Sequence, residues 1–274
     1  MFALIKIEWL KIKKYPAFWW MLGIVALTYP GLNCLMYYGY LEFTQGKEVT
    51  SNLAKMLLGN PFAFPETWHS VAYFSSFFVL LPSILVIMMV TNEYTFKTHR
   101  QNIIDGWSRQ QYITSKLFDV LIVAVIATVV YILVAGGFGI YADADSKGRW
   151  AEQAQYIPLF LLQTFAQLSI AFLLGYLVKK AFIALGIFLF YYLVLENIAV
   201  GYATFKLNDI GRFLPFEISD RLIPRPAFFS KWGEAQKASY NKAISIIPEH
   251  VVLSILLTAA IWGICYWVHK KRDL

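Results

Sequence analysis

Four histidines and two cysteines are the side chains of this sequence best suited to metal or nucleophilic chemistry, and their spacing supports neither. His69, His99, His250 and His269 fall at the ends of apolar runs or in a polar connector, while Cys34 and Cys265 lie inside separate apolar runs. None stands at metal-ligand spacing. Gly46-Lys47 is followed by Glu48 and lacks the upstream glycine of a phosphate loop; H-E-x-x-H and G-x-S-x-G are absent as well. No catalytic residue, metal or cofactor is expected in the chain. Polar groups that remain within apolar runs are Asn33, Gln163, Thr164, Gln167, Glu196 and Asn197. Gln163 and Gln167 are one helical turn apart with Thr164 beside them. Such groups are costly against lipid, so they should face other helices or an aqueous path. Interhelical hydrogen bonding is the structural alternative, favoured for the two glutamines. For Glu196 a substrate path and a structural pairing stand equal. Asp119, three residues after Lys116, reads as a local ion pair.

Long apolar helices must position these residues. The composition is 58% hydrophobic and 18% aromatic with only 15% charged, far from soluble averages. Runs of about 20 apolar residues cross the hydrocarbon core as helices. Six are read here, 17–40, 70–91, 112–141, 155–178, 181–203 and 250–269, which makes the chain an all-α polytopic membrane protein of one domain. Pro30, Pro82 and Pro158 fall within these runs, where kinks are tolerated. The run after the N-terminal lysines is too long for a cleavable signal, so it should remain as the first span. An even number of spans puts both ends on one face. That face carries twelve Lys/Arg, against four in the two short opposite loops, so the positive-inside rule places both termini in the cytoplasm. The net charge of +7 flanks the apolar runs and forms no basic stripe for nucleic acid.

Three segments lie outside the spans. In residues 1–15, Phe2, Ile5, Trp9 and Ile12 share a helical stripe with Lys6, Lys13 and Lys14 mostly off it; this reads as a helix lying on the cytoplasmic leaflet. The connector 92–111 is the most informative. Gly106 reads as a helix stop, and Ser108 with Gln111 as a capping box opening the third span. Between them lies a short polar helix, a rigid surface suited to docking another protein. The outer loop 204–249 carries Phe213, Leu214, Phe216, Ile218, Leu222 and Ile223, interrupted by Pro215, Pro224 and Pro226. It predicts short re-entrant or interfacial helices.

Taken together, the chain resembles the permease subunits of type-2 ABC exporters, which have a G-type (type V) transmembrane fold. The resemblance rests on the N-terminal helix, six spans, the helical connector and the outer segment before the last span. Its most specific residues run from Asn92-Glu93-Tyr94 through Lys97-Thr98-His99-Arg100-Gln101-Asn102-Ile103-Ile104-Asp105-Gly106 to Trp107-Ser108-Arg109, with Lys116 in the next helix. The resemblance implies that Lys97–Gly106 is a coupling helix docking on a separate ATPase subunit, with Glu93 at its base. It also implies two ATPase copies carrying ATP and Mg, and a second permease chain, same or homologous, near the first and fifth spans. An amphipathic cargo such as a lipid, peptide antibiotic or drug, and a bacterial cytoplasmic membrane, complete the expectation. Asn33, Gln163, Gln167, Glu196 and Asn197 are the candidate substrate-path residues. A secondary transporter or channel would need intramembrane titratable pairs or an inverted repeat; only Glu196 is deep enough and no repeat is evident. A non-transporting sensor or immunity subunit of the same architecture is the remaining alternative.

Overall fold

The computed structural model describes residues 2–45, 58–104, 106–143, 145–206, 209–230 and 233–271, without the side chains of residues 2–7, 99, 100, 103 and 205. Its α-helices are α1 (Phe2–Lys13), α2 (Pro16–Thr44), α3 (Thr67–Ser76), α4 (Leu80–Thr95), α5 (Thr98–Ile104), α6 (Arg109–Ala142), α7 (Tyr156–Val178), α8 (Ala181–Phe190), α9 (Glu196–Lys206), α10 (Pro215–Asp220), α11 (Glu234–Ser245) and α12 (Ile247–Lys271). A π-helical turn, Tyr191–Leu195, joins α8 to α9 into one span over Ala181–Thr204. Five helices are long and apolar enough to cross a membrane, and the pair α3–α4 makes up to six. No strand occurs among the described residues.

The second expected span, 70–91, is a bent pair rather than one straight helix. Its halves meet at 49° across Phe77–Val79, just before Pro82 in the first turn of α4. Proline has no N–H to continue the upstream ladder, and it is tolerated in a helix's opening turn. The carbonyl that Pro82 cannot serve, that of Phe78, accepts the Leu81 N–H at 3.0 Å, and Ser83 adds its hydroxyl to the Val79 carbonyl at 2.9 Å.

α7 is the central helix. It packs against α3, α4, α6, α8, α10 and α12. Its most apolar window is 56% buried, against 17% for Ala181–Thr204 and 22% for α2. Gly175 explains how α4 comes so close, since a Cβ there would lie 2.5 Å from Val90 Cγ1. The turn from α7 into α8 uses left-handed Lys179, whose N–H reaches the Gly175 carbonyl at 3.0 Å. That tight turn leaves the two spans as antiparallel neighbours, as two intervening residues require.

Both described ends of the chain pack on the first turns of α6. Glu8 of α1 reaches Lys116, and Arg109 donates to the Lys270 carbonyl of α12 at 3.0 Å. At the other end of the bundle the segment between α9 and α12 folds back into the core. Phe216, Ile218, Leu222 and Ile223 are buried, and Phe216 packs on Phe188, Tyr191 and Tyr192.

Candidate functional site

The connector helix α5 is bounded by chemistry written into its own sequence. Lys97 takes a left-handed conformation at φ 56°, which turns the chain out of α4. Gly106, at φ 96°, lets the Trp107 N–H return to the Asn102 carbonyl at 3.1 Å, a Schellman-type stop. Two residues later the expected capping box forms: Ser108 Oγ accepts from the Gln111 N–H at 3.2 Å, and Gln111 Oε1 accepts from the Ser108 N–H at 2.8 Å. Helix ends satisfied in this way hold a seven-residue helix in a fixed place between two spans.

Its base is a buried ionic cluster centred on Lys116. The ammonium donates to Glu8 Oε2 at 2.8 Å, Glu93 Oε1 at 2.5 Å and Asp119 Oδ2 at 3.0 Å. Lys116, Glu8 and Asp119 are each 5% exposed or less. Tyr112 donates its hydroxyl to Glu93 Oε2 at 2.8 Å. Lys11 joins Glu8 Oε1 at 3.0 Å to Asn102 Oδ1 of α5 at 3.3 Å, and lies 5.2 Å from the Trp107 ring centre. Burial raises the Glu8 carboxyl, but Lys116 first and Lys11 next override it and hold it down at about 2. Its contribution to stability is therefore complete above the ordinary carboxylate range and is lost only as pH falls toward 2. One lysine thus ties α1, α4 and α6 together directly beneath α5. α5 is linked to this frame by Asn102, which accepts from Lys11, and by Thr98, which donates to the Glu93 carbonyl.

The docking residues expected from the sequence sit on or beside this frame. Lys97, Gln101, Ile104 and Gly106 are exposed; Ile104 is 83% exposed despite being apolar. Thr98 donates its hydroxyl to the Glu93 carbonyl at 3.4 Å, and Asn102 is buried against Lys11. Asp105 and the side chains of His99, Arg100 and Ile103 lie outside the described residues.

The candidate path residues do not form one lining. Asn33 is alone near the α2–α3 contact, donating to the Tyr29 carbonyl at 2.8 Å and Ser75 Oγ at 3.3 Å. Gln163 and Gln167 both donate to Asp220 Oδ1, at 2.9 and 2.7 Å, and so anchor α10 to α7. Glu196 Oε1 accepts the Phe216 and Glu217 N–H groups, each at 2.7 Å, at the start of that same short helix. Asn197 is exposed and donates to the Tyr192 and Leu193 carbonyls beside the π turn. Three of the five residues therefore converge on α10.

Asp220 gives this end a measurable signature. Burial pushes its carboxyl up to about 7, against the two glutamine donors that pull it down. The unfolded chain releases that proton near the ordinary carboxylate value, so folding stability declines as pH rises from about 4 to 7. Asp220→Asn keeps an oxygen for both glutamines. Its thermal midpoint is expected to exceed the parent's at pH 8 and to match it only near pH 4, read by thermal unfolding in detergent.

The residues that sequence reasoning underused are Glu8 and Lys11, because no local spacing links them to Lys116. Lys116–Asp119 is the expected i,i+3 pair, and it forms one side of a larger cluster. The other three histidines with described side chains serve packing: His69 donates to the Pro224 carbonyl and stacks on Tyr156, His250 faces the Ile218 carbonyl, and His269 meets the Tyr176 hydroxyl. Cys34 is exposed, Cys265 is buried, and both are free.

Comparison with known proteins gives one match. The sequence model of the family described as ABC-2 family transporter protein covers residues 4–195, from α1 through the π turn and ending before Glu196. No curated protein and no solved structure matches significantly. Members of that family generally work with an ATPase subunit. The match spans most of the chain and includes the Lys116 cluster and α5, and the long apolar helices agree with it: the chain is a multi-pass membrane protein that belongs to the ABC-2 family of transporter proteins.

Proposed function

We propose that this chain is the transmembrane subunit of an ATP-driven exporter of amphipathic cargo, powered by a separate ATPase that docks on α5. The observation that carries the reading is the construction of α5, a seven-residue helix that exposes Gln101 and Ile104, stopped at both ends and braced on a buried charge cluster. A solvated connector needs neither stop nor brace. A surface that must transmit force needs both. In this reading α5 and both termini face the cytoplasm, and α1 lies along that leaflet, with ATP and Mg held by the partner.

Two permeases and two ATPases form the assembly. Support for the pairing comes from the least buried spans, α2 and Ala181–Thr204, which expose Trp20, Leu27, Phe182 and Ile198. Lipid would accept the same faces, so the second permease is an expectation of the family reading. A bacterial cytoplasmic membrane is the proposed location.

Co-purification from the native membrane tests docking. An ATPase bearing a phosphate-loop sequence should accompany the parent chain, and Ile104→Asp should reduce its recovery at least tenfold with unchanged yield and helix content of the permease. Equal recovery with both chains would remove α5 as the docking surface.

A further inference from the structure

Beneath α5, between α1 and α4, lies a cavity of about 300 Å³, at the small end of ligand sites. α6 and Phe172 of α7 contribute to its wall. Its body is apolar, with Ile12, Val86, Met89, Val90 and Val120 among the wall residues. One end is charged. Glu8, Glu93 and Asp119 supply three carboxylates, and Lys11 and Lys116 supply two ammonium groups.

The charged end is incomplete in a particular way. Lys116 engages all three carboxylates, and Lys11 supports Glu8. Tyr112 covers the second oxygen of Glu93. Asp119 is 5% exposed, yet its Oδ1 has no hydrogen-bond partner. A buried carboxylate oxygen without a donor is costly, and natural structures rarely leave one so. Among the described residues the cavity therefore has an apolar body and, at one end, three carboxyl groups against two ammonium groups, with Asp119 Oδ1 the oxygen left without a donor.

We infer that this cavity binds a lipophilic amine, its ammonium group donating to Asp119 Oδ1 and its hydrocarbon body lying along the α1–α4 gap. An anionic amphiphile would meet three carboxyl groups at the charged end. A neutral one would leave Oδ1 unpaired. As a ligand site the inference stands on the cavity alone. As the loading site of an exporter it rests on the function proposed above, and it narrows the cargo class to amphipathic cations. A cation seated there would touch the same cluster that braces α5, so cargo and ATPase would be read by one set of charges.

The test uses the full chain purified in a neutral detergent, without any ATPase, so its failure is separate from failure of the docking experiment. Radiolabelled decylamine is the probe, with decanol and decanoate as competitors. The parent should bind decylamine saturably, and neither competitor should displace it at tenfold excess. Asp119→Asn should weaken binding at least tenfold. Met89→Trp, which fills the apolar body without touching a charge, should abolish it while leaving the thermal midpoint near the parent's. Effective displacement by decanol would overturn the inference, showing an apolar hole with no use for the charge. Undiminished binding to Asp119→Asn would also overturn it, as expected if Asp119 and Glu8 share a proton that already cancels the surplus. Retained binding by Met89→Trp would place the amine elsewhere and sink the site.

Discussion

Lys116→Met should destabilise the folded chain by about 3–5 kcal/mol, the range found when one member of a buried ionic group is removed. The effect is large because the substitution leaves Glu8, Glu93 and Asp119 facing one another with no cation at the centre. Lys11 cannot replace it; its side chain is 38% exposed, and it reaches Glu8 alone of the three. A strong drop in thermal midpoint and in membrane yield is the expected measurement. The mechanism has its own check. Combining Lys116→Met with Glu8→Gln, Glu93→Gln and Asp119→Asn removes the stranded charges, and should recover most of the lost stability. Recovery of stability without recovery of ATPase binding would separate the cluster's structural role from its role under α5. If the single substitution leaves the midpoint unchanged, Lys116 does not hold these helices together.

Glu196→Ala should cost about 2–4 kcal/mol, since one buried and one part-buried N–H group lose a charge-assisted acceptor. Phe216 N–H and Glu217 N–H both end on Glu196 Oε1, and they open α10, the helix that plugs this end of the bundle. α10 then keeps its glutamine anchors, the packing of Phe216 and Ile218, and the His250 contact to the Ile218 carbonyl. Glu196→Gln retains an oxygen and should lose roughly half as much. Hydrogen exchange at residues 214–221 is the discriminating measurement. It should rise in Glu196→Ala while protection at α7 and α12 persists. Unchanged exchange would remove Glu196 as the cap of α10.

Much of the architecture can be read from local sequence, because a membrane enforces local rules. Each span must satisfy its own backbone and be about 20 residues long, so apolar runs locate α2, α6, α7, Ala181–Thr204 and α12 within a few residues. Caps are local too. Gly106, and Ser108 with Gln111, act within five residues of themselves, and all do so as expected. The second span shows where locality ends. Pro82 marks a kink, but its 49° depends on how α3 and α4 each pack on α7.

The cluster is the opposite case. Lys116 lies 108 positions from Glu8 and 23 from Glu93, while Asp119 is three away. Only the last separation leaves a pattern in sequence. Glu196 was ambiguous for a related reason, since its partners are backbone groups. A usable signal did exist: Leu214-Pro215-Phe216-Glu217 is a helix start with proline at its first position, and such a start seeks an anion. The glutamines on α7 needed a partner that no periodicity names, and it is Asp220.

The central claim is that α5 is the surface on which an ATPase bears. It is tested most directly by site-specific cross-linking in native membranes, after Cys34→Ser and Cys265→Ala remove the natural thiols. Single cysteines at Gln101 and Ile104, both exposed on α5, should each give an ATP-sensitive adduct with a phosphate-loop ATPase. A cysteine at exposed Tyr202 of α9, toward the other end of the bundle, should give none. Adducts from Tyr202 alone, or none from either α5 position with the ATPase present in the membrane, would contradict the account.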